Sequence, residues 1–117
     1  MKDERLLLHN ILDAADKIEQ YLQEGSYADF RRKEMLYDAV LMELAVIGEM
    51  ASRVSAPMRK KLPHIPWSKS RGLRNRIVYE YHGLSDRILW TLCTRDLPLL
   101  QKSIRDFFKK YGSLDPQ

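Results

Sequence analysis

Residues 35–54 read MLYDAVLMELAVIGEMASRV, and their apolar side chains recur at steps of three and four, which is the period of an α-helix. One apolar stripe consists of Leu36, Val40, Leu44, Ile47, Ala51 and Val54, and a second consists of Met35, Ala39, Met42, Val46 and Met50. Together they form an apolar arc wider than a single core face requires. The pattern extends this helix back to about residue 27. The helix therefore either lies at the centre of a bundle or also faces a partner subunit.

The rest of the chain is also helical in pattern. Helices are predicted over about 2–24, 70–81, 85–92 and 97–111, and Gly83 ends the second of these. Residues 55–68 form a connector, in which Pro57, Pro63 and Pro66 interrupt any helix. No segment alternates apolar and polar residues as a strand does. The sequence predicts an all-α, up-and-down bundle of four main helices with additional short helices. We expect one domain over residues 1–117, with a frayed tail at 113–117.

Composition excludes several classes of protein. A chain of 117 residues suits one domain, and no apolar run reaches the length of about 18 residues that a membrane span requires. The N-terminal sequence MKDERLLLHN lacks the apolar core of a signal peptide. The single cysteine, Cys93, lies in an apolar stretch and is predicted to be a buried thiol, and His9, His64 and His82 are too scattered to indicate a metal site. We therefore expect a cytoplasmic protein without a cofactor.

The net charge of +4 is distributed unevenly along the chain. Residues 53–79 contain eight Lys and Arg and no Asp or Glu, whereas the remainder carries 12 basic and 16 acidic residues. Because guanidinium and ammonium groups bind phosphate oxygens, this segment predicts a surface that binds a polyanion, with Lys69, Arg71, Arg74 and Arg76 as candidates. The alternative interpretation is an ordinary solvated helix face.

The run RGLRNRIVYEYHG, residues 71–83, resembles the signature of HEPN-domain proteins of the HepT type. In that signature an Arg is followed, after several residues, by His, any residue and Tyr. Further matches in the family's order are Ile47-Gly48-Glu49 and Ile65-Pro66-Trp67 upstream, and Ile88-Leu89-Trp90 and Asp96-Leu97-Pro98 downstream. The resemblance extends over most of the chain.

The resemblance implies a helical bundle that forms a homodimer, with the motif helices of two protomers lining a shared cleft. It implies a metal-independent endoribonuclease that acts on RNA as the toxin of a toxin–antitoxin pair. It also implies a cognate antitoxin, a nucleotidyltransferase of the MntA type, which neutralises the toxin by transferring AMP to the motif tyrosine. That tyrosine is Tyr81 in this sequence.

The motif suits the chemistry of RNA cleavage. A base must take the proton of the 2′-hydroxyl, and a cation must stabilise the charge on the phosphorane. Histidine is suited to the first role and arginine to the second. Under the resemblance Arg74 is the arginine. Asn75 either orients Arg74 or binds a phosphate, or it is an ordinary exposed residue. Glu49 is either a buried partner that holds Arg74 or an exposed surface residue.

The sequence departs from the family at the histidine position, which Tyr79 occupies. A tyrosine is protonated at neutral pH and is a poor general base. Three interpretations stay open: the domain is catalytically weak or inactive and survives as a binding partner, His82 replaces the missing base, or Tyr79 arose by mutation of a toxin that is harmful when active. The candidate catalytic residues are therefore Arg74, Asn75, Tyr79 and His82.

Three functions are compatible with these observations. A ribonuclease toxin predicts RNA cleavage without a metal. A non-catalytic module predicts docking of a nucleotidyltransferase without cleavage. A plain helical dimer predicts no salt-dependent binding of RNA.

Overall fold

The fold is an all-α bundle, as the apolar periodicity predicts. The computed structural model describes residues 3–23 and 25–113, and within them it contains helices and no strands. The helices are α1 (Arg5–Leu22), α2 (Tyr27–Arg32), α3 (Glu34–Arg53), α4 (Ala56–Lys60), α5 (Trp67–Tyr79), α6 (Asp86–Thr91) and α7 (Leu97–Tyr111). Residues 114–117 of the expected frayed tail lie outside the described residues. No described helix is both long and apolar enough to cross a membrane.

Helix α3 lies at the centre, because it packs against α1 on one side and α5 on the other. Its side chains Val40, Leu44 and Ile47 are at most 1% exposed. This central position, which was one explanation for the wide apolar arc, is therefore confirmed. Part of the arc nevertheless stays uncovered, since Met35 is 87% exposed and Met42 is 64% exposed.

The single helix predicted over residues 27–54 was wrong in one respect, because it is broken at Lys33. Ser26 and Asp29 form a capping box that starts α2, in which each backbone N–H donates to the other residue's side chain at 3.1 Å. Lys33 then takes an extended conformation with a ψ of 96°. The resulting turn directs the side chain of Phe30, which is 0% exposed, into the core.

The last two predicted helices are one continuous rod, because a π-helical segment (Leu92–Asp96) joins α6 to α7. Pro98 explains the wider turn. It has no N–H for the carbonyl of Thr94, and in a regular α-helix its ring would clash with that carbonyl. Cys93 lies in this segment and is buried, and the burial raises the pKa of its thiol to about 12. The prediction of a buried thiol is confirmed.

Helix α5 begins and ends earlier than predicted. It starts at Trp67, whose indole N–H donates to a backbone carbonyl of the connector at 3.0 Å and so fastens the first turn. It ends at Tyr79, and the next residues form a separate 3-10 turn (Tyr81–Gly83). Gly83 therefore closes this turn and does not end α5, contrary to the prediction. As a result, the last residues of the motif leave the axis of the helix.

Candidate functional site

Arg74 is held against α3 by an ion pair with Glu49. The Nε atom of Arg74 lies 3.2 Å from Oε1 of Glu49, and Oε2 of the same carboxylate accepts a hydrogen bond from Nε of Arg53 at 3.1 Å. Glu49 is therefore adjacent to Arg74 but not buried, since 34% of its side chain is exposed, against 46% for Arg74. Such exposed pairs add only about 0–1 kcal/mol to stability. We therefore expect the pair to orient Arg74 more than to stabilise the fold.

Asn75 makes a second contact with the Arg74 guanidinium. Its Oδ1 accepts a hydrogen bond from Nη1 of Arg74 at 3.3 Å. The two contacts engage Nε and Nη1 and, within the described residues, leave Nη2 available to a phosphate oxygen. An arginine that is already oriented loses less side-chain entropy when it binds an anion.

Gly48 allows α3 and α5 to approach closely at this point. A Cβ atom at Gly48 would lie 2.6 Å from the backbone N of Arg74 and 3.2 Å from the carbonyl oxygen of Ser70. The first distance is shorter than van der Waals contact, so a side chain cannot be accommodated without moving the backbone of α5. The close approach also brings Arg74 beside Glu49, which follows Gly48 in the sequence.

Replacing Gly48 with alanine is expected to lower the free energy of unfolding by about 1–3 kcal/mol, because the methyl group must push α5 away from α3. Urea denaturation measures the change. Gly72→Ala is the matched control, since Gly72 lies within α5 and a Cβ there meets no atom within 4 Å. Alanine is the better helix former, so the control should gain about 0.5–1 kcal/mol. Equal effects of the two substitutions would contradict the close approach.

The motif tyrosine, Tyr81, contacts α3 at a second point. Its hydroxyl donates a hydrogen bond to the carboxylate of Asp38. This bond raises the pKa of Tyr81, because ionisation would place two negative charges side by side. The Tyr81 ring meets the rings of Tyr37 and His82 edge-on, with centroids 6.4 and 5.2 Å away. The side chain remains 39% exposed.

Asp38 was not singled out from the sequence. It precedes Glu49 by 11 positions, close to three helical turns, so the two carboxylates share one face of α3 and lie about 16 Å apart along its axis. Each carboxylate contacts a motif residue: Glu49 contacts Arg74, and Asp38 contacts Tyr81. The shared face was readable from the spacing, but no signal linked Asp38 to a residue 43 positions away.

Tyr79 and His82 lie apart from Arg74. Tyr79 is 78% exposed at the last position of α5, and the five positions that separate it from Arg74 correspond to a rotation of about 140° around the helix. His82 is exposed in the 3-10 turn, with its ring against Tyr81. One chain therefore does not gather the four candidate catalytic residues around a single point. Arg74 and Asn75 form one group, and Tyr79 and His82 lie beyond it.

The acid-free basic segment is partly neutralised by the acids that flank it. Glu49, just before the segment, contacts two of its arginines, and Oε2 of Glu80, just after it, lies 3.8 Å from Nε of Arg76. Lys69 and Arg71 are exposed on α5 and form no ion pair within residues 3–23 and 25–113. These two remain the clearest candidates of the segment for contacts with a polyanion.

An exposed apolar strip lies beside the pair of Arg74 and Glu49. Met35 and Met42 precede Glu49 by multiples of seven positions, so they share its face of α3, and Val78 follows Arg74 by four positions on α5. The exposed fractions of Met35, Met42 and Val78 are 87%, 64% and 51%. Large apolar side chains exposed together on one surface are typical of a contact with another protein.

A family model matches most of the chain. The model, described as "Ribonuclease HepT-like", covers residues 11–107, a span that contains every site residue named above. The matched span thus includes Asp38, Glu49 and the whole motif at residues 71–83.

Individual relatives are similar over nearly their full length. "Putative RNase MJ1380" of Methanocaldococcus jannaschii is 29% identical over 103 residues, which cover 88% of this chain and 94% of the relative. "Putative RNase TTE0752" of Caldanaerobacter subterraneus subsp. tengcongensis is 28% identical over 110 residues, 94% of this chain and 98% of the relative. "Probable ribonuclease HepT" of Thermococcus cleftensis is 29% identical over 94 residues, 80% of this chain and 86% of the relative. No solved structure matches the chain.

Proposed function

The chain belongs to the HepT-like ribonuclease family, and on that premise we propose that it is a metal-independent endoribonuclease whose cleft forms between two copies of the chain. Each copy is a single helical domain, and RNA is the substrate. The relatives named as ribonucleases support this assignment. The observation that carries it is Arg74, whose guanidinium is oriented by Glu49 and Asn75 beside an uncovered apolar strip.

Arg74 is the group that stabilises charge during cleavage. The 2′-oxygen of the RNA attacks the adjacent phosphorus while the bond to the 5′-oxygen breaks. The departing 5′-oxygen takes a proton from water, which leaves a 2′,3′-cyclic phosphate and a 5′-hydroxyl. The N–H groups of Arg74 stabilise the negative charge on the phosphorane oxygens. His82 takes the proton of the 2′-hydroxyl, because Tyr79 is a poor base at neutral pH. RNA incubated with the native protein in EDTA is expected to acquire 2′,3′-cyclic phosphate ends slowly.

The cleft requires a second copy of the chain. Arg74 contacts α3 at Glu49, whereas Tyr81, the neighbour of His82, contacts it about 16 Å further along. Within one chain these groups therefore do not meet at one phosphate. A two-fold axis at the exposed apolar strip would cover that strip and direct Arg74 of one protomer towards the partner's His82.

Replacing Met42 with glutamate should convert the dimer to a monomer, because a charge in the middle of the apolar strip must be desolvated when two copies meet. Light scattering coupled to size-exclusion chromatography gives the mass in solution. Ile88→Glu is the matched control, since Ile88 is 57% exposed on α6, outside the strip. A dimer that survives Met42→Glu, or dissociates equally with Ile88→Glu, would show that the contact lies elsewhere.

We place Tyr81 as the acceptor of AMP from a nucleotidyltransferase antitoxin of the MntA type, with the chain as its toxin. Two features support this role. Tyr81 is partly exposed, and its hydroxyl already donates to Asp38. When the phenolic oxygen attacks the α-phosphorus of ATP and pyrophosphate leaves, Asp38 is positioned to take the phenolic proton. The attached AMP adds bulk and negative charge next to the cleft and so excludes RNA.

Co-expression with a nucleotidyltransferase encoded next to this protein's gene should add one AMP to Tyr81. Peptide mass spectrometry identifies the modified residue. Tyr81→Phe should abolish the modification because the acceptor oxygen is gone. Tyr79→Phe is the control, since it removes the other exposed motif tyrosine and should leave the modification intact. AMP on another residue, or an unmodified Tyr81, would contradict this role.

A second candidate function is a catalytically inactive module that docks the nucleotidyltransferase. The exposed Tyr79 in the position of the family's histidine favours it. This alternative predicts a stable complex and AMP on Tyr81, but no RNA cleavage by the native protein or by Tyr79→His.

A further inference from the structure

A basic groove of about 560 Å³ lies between the connector that precedes α5 and the outer face of α7. Its lining includes Lys61, His64, Lys102, Lys110 and Tyr111. Asp106 is the one carboxylate among the lining residues that the structure describes, and it is already bound to Lys102, with Nζ 2.6 Å from Oδ2. The groove therefore carries an excess of positive charge.

Lys61 and Lys110 converge on the aromatic ring of Tyr111. Their Nζ atoms lie 5.7 and 5.2 Å from the ring centroid, where the negative face of the ring attracts an ammonium group. Neither lysine forms an ion pair with the described part of the chain. Two ammonium groups without a carboxylate partner therefore lie near one exposed ring, and each attracts an anion bound beside it.

We propose that this groove binds a single strand of RNA, with backbone phosphates on Lys61 and Lys110 and an unpaired base on the ring of Tyr111. The ring is 47% exposed. On binding, the two ammonium groups move from the ring to the phosphates and leave its face to the base. Cations beside an exposed aromatic ring are the combination with which proteins hold single strands irrespective of sequence.

The groove is separate from Arg74. Arg74 contacts the outer side of α3, whereas the groove is formed by α7 and the connector. The inference deepens the proposed function and rests on it for the identity of the ligand as RNA. It adds a place where RNA is held without being cleaved, so binding and cleavage are separable by mutation. An acidic protein segment would use the lysines but would gain less from the aromatic face, which favours RNA.

The test uses the full chain and a fluorescent single-stranded RNA with 2′-O-methyl groups, which binds but is not cleaved. Anisotropy gives the dissociation constant between 50 and 200 mM salt. Replacing both Lys61 and Lys110 with Gln should weaken binding about tenfold or more. The logarithm of the association constant should also fall less steeply with the logarithm of the salt concentration, by about 1.4 in the slope, since each lost phosphate contact on a single strand contributes about 0.7. The control replaces Lys17 and Lys33 with Gln. These lysines are exposed outside the groove, so the same charge is removed with little effect.

Tyr111→Leu should weaken binding about five- to 150-fold without changing the salt slope, because stacking of one base contributes about 1–3 kcal/mol. Tyr111→Phe keeps the ring and should bind like the native protein. Lys61 and Lys110 variants that bind like the control would overturn the proposal. So would a poly-glutamate peptide that competes as well as RNA, since it would indicate a protein partner.

Failure of the groove and failure of the proposed function give different results. If the groove variants bind normally while the native protein cleaves RNA, the groove inference is wrong and the ribonuclease assignment stands. If the groove variants lose binding while neither the native protein nor Tyr79→His cleaves RNA, the groove stands and the ribonuclease assignment is wrong.

Discussion

An Arg74→Ala variant is expected to cleave RNA at least about 100-fold more slowly than the native protein, because it lacks the donors that stabilise charge on the phosphorane. Gel analysis of a labelled RNA measures the rate. The loss should appear in kcat, since the groove formed by α7 and the connector does not include Arg74 and still holds RNA. The Arg74→Lys variant should also cleave RNA more slowly. Its ammonium group keeps the positive charge but lacks the planar guanidinium group, which contacts Glu49, Asn75 and a phosphate at the same time.

Arg71→Ala is the matched control for Arg74. Arg71 is an exposed arginine on the same helix and forms no ion pair within the described residues, so removing it changes the charge of α5 by the same amount. We expect it to raise KM a few-fold, in keeping with the loss of one phosphate contact, and to leave kcat unchanged. An Arg74→Ala variant that behaves like Arg71→Ala would show that Arg74 only binds RNA.

A Tyr79→His variant is expected to cleave RNA up to about 10²- to 10⁴-fold faster than the native protein, the usual contribution of a positioned general base. The new imidazole would stand at the family's histidine position, whereas His82 lies in the 3-10 turn beyond α5 and is the less well placed base. The gain should appear as the pH rises through the range of about 6–7 in which an imidazole loses its proton. Tyr79 is 78% exposed, so the substitution is not expected to disturb the core.

Tyr79→Phe is the control that shows whether a gain in rate comes from the new histidine or only from the loss of the tyrosine. It removes the hydroxyl without supplying a base, so its rate should equal that of the native protein. His82→Ala in both backgrounds then identifies the base: it should reduce the native activity and have little effect on Tyr79→His. A Tyr79→His variant that stays folded and dimeric without gaining activity would favour the non-catalytic module.

The helical class was predictable because it follows from apolar periodicity, which is local in the sequence. The same periodicity left two explanations for the wide apolar arc of α3, and only the packing of α1 and α5 against it shows that it is central. The break at Lys33 was harder to foresee, because no glycine or proline marks the end of α2, and the capping box of Ser26 and Asp29 marks only its start. The junction at residues 92–96 was mistaken for a gap between helices. Pro98 usually interrupts a helix, and only packing of the whole rod shows that a π-helical turn accommodates it.

Part of the site was also predictable, because its signals are local in the sequence. Arg74 stands out because motif and charge coincide there, and Gly48 and Glu49 lie in a flanking motif. Asp38 does not stand out, because its role depends on where the 3-10 turn places Tyr81. The basic groove was not foreseen either, since it joins Lys61 to Lys110 and Tyr111 from a distant helix.

The most direct test of the proposed ribonuclease is to incubate the native protein, Tyr79→His, and Tyr79→His combined with Arg74→Ala with RNA in EDTA, and to identify the new 3′ ends. We predict 2′,3′-cyclic phosphate ends that form slowly with the native protein and rapidly with Tyr79→His. Replacing Arg74 as well should lower the rate at which they form at least about 100-fold. Intact RNA in every reaction, or cleavage that persists without Arg74, would contradict it.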